Sequence, residues 1–530
     1  MTLTATSPLK QAEPAQEAQE ETPSAVRRPN RRAVMVSAVL TQLMIVLDLT
    51  IIAIALPHMQ EDLGMTVSQS PWTVTGYSLA FGGLVLFGGR LCAVVGIRRS
   101  YQVGLIGFGI ASLAAGMATS FSVLLAARVA QGCFGALLAP TSQSLLNVTF
   151  TERAERERVF AIFGATGGLG AAVGLLVGGA LTDWFSWRWA LYINIFLAAA
   201  ALLIGQRSLP PADQRDRGSR ITDDLSGLVL GCGACFSAVY GLDRAQQTSW
   251  TSTSTVSWLA LGGIAAALFV VRERFANRPV LPLSMMALPV RAASYATQFV
   301  VGAAQMGAII YLTYYMQNHF GYSPLKSGVV FLPMVLALIA TAIPAGRIIV
   351  PRLGARGTLP LGLAVLAGSF LIFSRMTTES TYEHVALPGL IVFGMGLGLT
   401  MPVTFNSGTR GVDAKRTGLA SAILSAAQQI GGSFGVALMT SYATQHAEDY
   451  VTDHTEEVKA AAMEAMMRAQ ALPQSPAGKQ IIETLKAQLI DRAQIEAYSG
   501  GFSMMAWILA GATALLVACG IGLHLYRRRD

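Results

Sequence analysis

Of the 30 acidic residues in the chain, Asp48 alone lies deep inside a long apolar run; the others fall in tails, connecting loops or the ends of runs. A carboxyl group at the centre of a membrane-spanning helix costs about 2.5–3.5 kcal/mol on insertion scales. Such a residue should face a bundle interior or an aqueous cavity and be functional. Arg128 is the other formal charge well inside an apolar run. With successive runs crossing in alternate directions, Asp48 precedes Pro57 by nine residues and Arg128 follows Phe121 by seven. At about 1.5 Å rise per residue the two lie roughly 13 and 10 Å from the same face, in one layer. There the guanidinium holds the carboxylate ionised while desolvation raises its pKa, so opening to water can switch its proton on and off. Two plainer readings stand beside this one: an Asp that only hydrogen-bonds a neighbouring helix, and a purely structural ion pair.

Other polar residues within apolar runs, Tyr77, Gln131, Gln298, Tyr311, Tyr315 and Gln428, are candidates to line a substrate cavity, with interhelical hydrogen bonding as the alternative for each. A stripe of small residues, Gly164, Gly167, Gly168, Gly170, Gly174, Gly178 and Gly179, recurs at three- and four-residue spacing and lets another helix backbone approach closely. Its alternatives are ordinary packing and a gating role. No catalytic constellation or metal-spaced histidine cluster is evident, the six His being scattered, and there is no Gly-x4-Gly-Lys-Ser/Thr phosphate loop. A membrane enzyme or ATP-driven pump is thereby disfavoured. Cys232-x-x-Cys235 sits in a Gly/Ala-rich run and reads as small packing residues, with a redox or metal role as the weaker alternative.

The elements that position these groups follow from composition. The 530 residues are 53% hydrophobic and 13% charged, against about 25% charged in soluble domains. Fourteen apolar runs, the first Met35–Pro57 and the last 502–525, are long enough to span a bilayer or nearly so. Basic residues test the count, because they concentrate in cytoplasmic loops. Placing the amino terminus inside puts Arg98 and Arg99, Arg153 to Arg158, Arg207 to Arg220, Arg272 to Arg291, Arg347 to Arg356 and Arg410 to Arg416 on one side, and only Arg188, Arg244, Lys326 and Arg375 in the short loops opposite. Both termini are then cytoplasmic. The net charge of +8 is spread between apolar runs, with no aromatic-interleaved patch for nucleic acid.

Residues 1–32 read as a disordered cytoplasmic tail, being rich in Glu, Ala, Pro and Thr. Gly132 and Pro140 recur as Gly394 and Pro402, about 262 residues on, and Gly89, Gly96 and Arg98 as Gly346, Gly354 and Arg356. This suggests two six-helix halves running in the same direction, 33–207 and 292–526, joined by a linker with two extra spans, 208–291, and ending in a cytoplasmic tail, 527–530. The acidic external segment 442–501 has helical spacing of apolar residues on both sides of Leu472-Pro473 and is expected to form a short helical hairpin.

Leu47-Asp48-Leu49-Thr50 with Ala55-Leu56-Pro57, Gly89-Arg90-Leu91 through Gly96-Ile97-Arg98-Arg99, Arg128-Val129-Ala130-Gln131-Gly132, the stripe ending Gly178-Gly179, and Trp187-Arg188-Trp189 with Asn194 together resemble the fourteen-spanner drug:proton antiporter branch of the major facilitator superfamily. The chain departs from that pattern at Ala93, where an acid is usual, and at Leu175, where a proline is usual. The resemblance implies an all-α integral membrane protein with the major facilitator fold: two six-helix halves plus two linker helices, fourteen transmembrane helices in all. It implies proton-coupled export of drugs, antibiotics or other amphipathic or cationic compounds by alternating access, with Asp48 and Arg128 coupling the proton. Gly89, Gly96, Arg98, Arg99, Gly164, Gly168, Gly174, Gly178 and Gly179 would serve gating and helix packing. No cofactor or metal is expected, the energy source being the proton gradient. The partners implied are a small amphipathic molecule, protons and the lipid bilayer of a bacterial inner membrane, with an accessory envelope protein left open. Proton-coupled uptake and dedicated export of a single natural metabolite are the alternatives.

Overall fold

The computed structural model describes residues 30–526 apart from 67–68, 70–71, 207–208, 210–224, 277–278, 280, 282–284, 287, 413–416 and 469–474. The tails expected at 1–32 and 527–530 therefore lie, save for residues 30–32, outside the described residues, as do the surroundings of Gly167, Gly168 and Leu175. Among the described residues every regular element is a helix. Helices α1 (Arg31–Asp62), α2 (Trp72–Val95), α3 (Ile97–Gly116), α4 (Phe121–Thr149), α5 (Arg153–Trp184) and α6 (Trp187–Gly205) form the first bundle. Helices α7 (Leu225–Gln247) and α8 (Thr253–Phe275) pair with each other, and α7 leans on α2 and α14 (Thr417–Arg468). The second bundle holds α9 (Pro289–Tyr314), α10 (Pro324–Val330), α11 (Leu332–Pro344), α12 (Val350–Phe373), α13 (Leu387–Gly408), α14 and α15 (Pro476–Tyr526).

Eleven described helical stretches are long and apolar enough to cross a membrane, and one of them, Leu325–Phe373, holds two rods. The break is Gly354, whose φ of 64° lies in the left-handed region that glycine tolerates. Close contacts establish the reversal. Gly394 and Gly398 of α13 meet Met334 and Leu338 of α11, numbers rising together, whereas Gly362 and Gly396 meet Thr400 and Leu366, numbers running oppositely. Adding α3 and α5, which are packed within the first bundle, is consistent with fourteen traverses. Large apolar side chains are bare on the outside of the bundles, among them Ile110, Leu203, Leu268, Leu336 and Leu515. A contiguous apolar exterior of this kind requires lipid as its solvent.

The sequence repeat is a repeat of contacts. A Cβ on Gly132 would meet the backbone of Tyr77 and the side chain of Ala80, and one on Gly394 would meet the backbone of Met334 and the side chain of Ala337. In each half a missing side chain lets two parallel helices touch backbone to backbone. The segment 442–501 departs in form from the short hairpin expected: α14 and α15 continue through most of it as uninterrupted helices of 52 and 51 residues. Apolar spacing within 442–501 continues the helices of the spans, which is why no boundary appears where the apolar run ends.

We call outer the face where α1 ends and inner the face carrying Arg98 and Arg153. At the outer face Asp62 accepts hydrogen bonds from Trp187 Nε1 (3.0 Å) and Arg188 Nη1 (2.7 Å). Arg188 also donates to the Ala118 carbonyl (3.3 Å) and lies over the Trp187 ring. The Trp-Arg pair thus ties the outer ends of α1, α3 and α6 together. The Arg188 guanidinium, and then the Trp187 indole, hold the Asp62 carboxyl below its ordinary value of 3.8. A carboxyl whose pKa falls on folding contributes stability above its unfolded pKa and loses it as pH drops through the folded pKa. Asp62→Asn should therefore lower the thermal midpoint at pH 7 by about 1–3 °C, the size set by a half-exposed pair. The gap between variant and parent should close as the pH falls below 3.8. Equal midpoints at pH 7 would show that the clamp contributes nothing.

Candidate functional site

The layer predicted from helix depth exists. Arg128 Nη1 of α4 donates to Asp48 Oδ2 of α1 at 2.5 Å, with both side chains fully buried. Two more donors complete the carboxylate: Gln131 Nε2 at 3.1 Å and Asn194 Nδ2 of α6 at 2.6 Å, both on Oδ1. Gln131 is itself held, its amide nitrogen donating to Ser112 Oγ of α3 (2.8 Å) and its oxygen accepting from Arg128 Nη1 (2.9 Å). Arg128 Nε donates to the Thr73 carbonyl of α2 at 3.1 Å, and the guanidinium sits 4.6 Å from the centre of the Tyr77 ring. Side chains from α1, α3, α4 and α6 and a carbonyl from α2 thus converge on one ion pair.

Each position follows from helical geometry. Arg128 and Gln131 are three residues apart, neighbours on one face of α4, and Gly132 beside them lets α2 close against that face. Gly170, Gly174 and Gly178 of α5 lie against Val46, Thr50 and Ile51 of α1, so α5 occupies the side of α1 away from this network. Asp48 therefore points into the first bundle, among α3, α4 and α6. In so dry a place the carboxylate is held by three donors, which offsets much of the cost of burying it, while Arg128 Nη2 has no partner among the described residues. Arg128, Gln131 and Asn194 all address the one carboxylate of Asp48, so three helices share a single acceptor.

The remaining sequence candidates fall in three places. Tyr77 stacks on Phe81 beneath Arg128 and belongs to the same layer. Tyr311 donates to Thr440 Oγ1 and Tyr315 to the Thr377 carbonyl, both within the second bundle. Gln298 accepts from Thr404 Oγ1 (2.8 Å), and Gln428 Nε2 donates to Gln305 Oε1 (3.5 Å), on α9, α13 and α14. Gly164 faces Met401 of the other half, while Gly174 and Gly178 serve the α1–α5 contact. Gly96, with φ of 97°, forms the α2–α3 corner, and Arg98 Nη2 reaches the Gln206 carbonyl at 3.2 Å. Cys232 and Cys235 carry no disulfide. Sequence reasoning overlooked Asn194 and Ser112 as partners of the layer. Asn194 was detectable as an amide inside an apolar run, but its partner was not.

The layer makes a stability prediction. Arg128→Met leaves an uncompensated buried carboxylate and should cost about 3–5 kcal/mol, seen as a large fall in the thermal midpoint of detergent-purified protein. Adding Asp48→Asn should recover most of that loss. A double variant as unstable as Arg128→Met would show that the two groups are not energetically paired.

A family model described as Major Facilitator Superfamily matches residues 38–436. The chain is 40% identical over 432 residues to the puromycin resistance protein pur8 of Streptomyces alboniger, covering 80% of this chain and 84% of that protein. It is 31% identical to a tetracenomycin C resistance and export protein of Streptomyces glaucescens, over 90% of this chain and 88% of the relative. It is also 33% identical to the cephamycin export protein CmcT of Amycolatopsis lactamdurans, over 76% and 83%. Among solved structures the human organic anion transporter MFSD10 (TETRAN) superposes with a TM-score of 0.54 at 16% identity, over 91% of this chain and all of that one.

Proposed function

Because the chain belongs to the major facilitator superfamily and its curated relatives include resistance and export proteins for several antibiotics, we propose that it is a secondary transporter that exports antibiotic-like amphipathic compounds in exchange for protons. The observation that carries the proton half of this reading is the completed Asp48 layer. Proton coupling needs a group whose charge changes as the protein alternates between sides, and a single buried carboxyl beside an arginine meets that need without any cofactor.

In the cycle we infer, Asp48 is ionised while held by Arg128, Gln131 and Asn194. A proton arriving from the outer side neutralises it, and the three donors lose their common acceptor. Helices α1, α4 and α6 are then free to shift relative to one another, and release of the proton to the cytoplasm restores the layer. The two halves rock about the interface that α2, α4 and α5 make with α10, α11, α13 and α14, carrying the compound outward. The chain is a multi-pass membrane protein; its residence in a bacterial inner membrane, with both termini inside, is the orientation that the basic loops favour.

Two measurements test this. Purified protein in liposomes, given a pH gradient and puromycin or tetracenomycin C, should release protons as it moves the compound. Asp48→Asn should fold and bind but lose pH-driven movement, by about 100-fold or more. Movement at the parental rate would place coupling elsewhere. In a background without native cysteines, Thr151→Cys and Thr452→Cys should label from opposite sides of the membrane with an impermeant thiol reagent. Labelling of both from outside would overturn the orientation.

A further inference from the structure

The repeat that relates the halves also relates their contacts at the inner face, and there the two sides differ in chemistry. Gln143 of α4 corresponds to Phe405 of α13, as Gly132 corresponds to Gly394. On α5 and α14, Gly170 and Gly174, which lie against α1, match Gly431 and Gly435, which lie against α9, so Phe160 corresponds to Ser421 and Gly164 to Ser425. On one side of the inner gate Gln143 Nε2 donates to Ser425 Oγ across the halves at 3.2 Å. On the other, Phe405 stacks on Phe160, with ring centres 6.2 Å apart and planes within 16°, and meets Phe163 edge-on. The equivalent residues Gln143 and Phe405 thus make an amide–hydroxyl contact on the α4–α14 side and an aromatic contact on the α5–α13 side. Thr409 Oγ1 donates to Asn147 Oδ1 between them at 3.3 Å.

The facing helices α4, α9 and α14 hold more hydrogen-bonding capacity than they use. Gln143 Oε1, Asn147 Nδ2, Gln298 Nε2 and Ser421 Oγ are buried atoms with no partner among the described residues, and Gln143, Gln298 and Ser421 are buried as whole residues. They include a lone acceptor and two lone donors, and such groups are costly to leave unpaired. None is ionisable. Among the described residues the buried acids within spans are Asp48, whose oxygens are filled by three donors inside the first bundle, and Glu273 near the end of α8, which accepts from the Leu281 backbone N–H. Among the described residues, the contacts of this inner gate therefore offer a permanent cation no carboxylate.

Resting on the export reading, we infer that the inner gate selects uncharged amphipathic compounds, with a planar aromatic face that packs on Phe160 and Phe405 and an edge of amides or hydroxyls that pairs with Gln143 and Gln298. Lipophilic cations lacking hydrogen-bonding groups fall outside this class, in contrast to the cationic substrates that the family resemblance allows.

Chloramphenicol, an uncharged nitrophenyl compound bearing an amide and two hydroxyls, and tetraphenylphosphonium, a cation with aromatic faces only, separate the possibilities. In proteoliposomes with an imposed pH gradient the parent should move chloramphenicol at least about 10-fold faster than tetraphenylphosphonium. Gln143→Leu and Phe405→Ala should each raise the KM for chloramphenicol by about 10-fold. Gln143→Glu should gain movement of tetraphenylphosphonium. Ser425→Ala, which removes only a hydroxyl, should raise the KM about threefold and serves as the check if a larger change impairs folding. Movement of tetraphenylphosphonium by the parent at a comparable rate, abolished by Asp48→Asn, would overturn this substrate class while leaving proton-coupled export standing. Unchanged KM values in Gln143→Leu and Ser425→Ala would overturn the role of the polar side. Proton-driven movement of neither compound, nor of puromycin or tetracenomycin C, would overturn the export reading and this inference together.

Discussion

Burying one ion pair in an apolar bundle constrains much of the first half. Neither Asp48 nor Arg128 can turn to solvent, so each hydrogen-bonding position of the carboxylate must be filled from a neighbouring helix. That requirement fixes the rotation of α1 about its axis, sets Arg128 and Gln131 side by side on α4, and places an amide on the buried face of α6. The glycines of α4 and α5 serve the same end, since α2 and α5 come close enough to exclude water only where side chains are missing.

The same helix connects this layer to the inner gate. Arg128 and Gln131 stand on α4 in the outer half of the bundle, and Gln143 and Asn147 stand on α4 at the inner end, with Pro140 between them. One helix therefore carries both the partners of the carboxylate and the contacts with Ser425 and Thr409, some 20 Å apart along its axis.

The second half repeats the architecture without the charges. Where the first bundle has Asp48, Arg128 and Gln131, the matching positions carry Gln305, Leu390 and Phe393. Phe393 packs with Phe370, Phe373 and Phe502 in a core of rings. Such a core repacks only with difficulty, whereas a hydrogen-bonded ion pair has two charge states with different preferred partners. The halves are alike in fold and unlike in the chemistry of this layer, an ion pair on one side and packed rings on the other.

Much of this was present in the amino-acid order. An isolated acid in an apolar run, an isolated arginine in another, and the alternation of basic loops together located the pair in one layer, because rise per residue converts sequence distance into depth. The parallel halves were visible in Gly132 and Pro140 recurring as Gly394 and Pro402, since close helix contacts demand small residues at fixed spacing. Depth says nothing of which neighbour a side chain faces. Tertiary packing alone decided that Gln131 completes the carboxylate while Gln298 pairs with Thr404 in the second bundle, that Tyr311 and Tyr315 tie that bundle together, that Asn194 is the third donor, and that α14 runs on to Arg468 and α15 begins at Pro476. It also decided that Gln143 and Phe405, unremarkable apart, occupy matching places on opposite sides of one gate. The rotation of each helix about its axis is set by the sum of its contacts with helices distant in sequence, and no local pattern contains that sum.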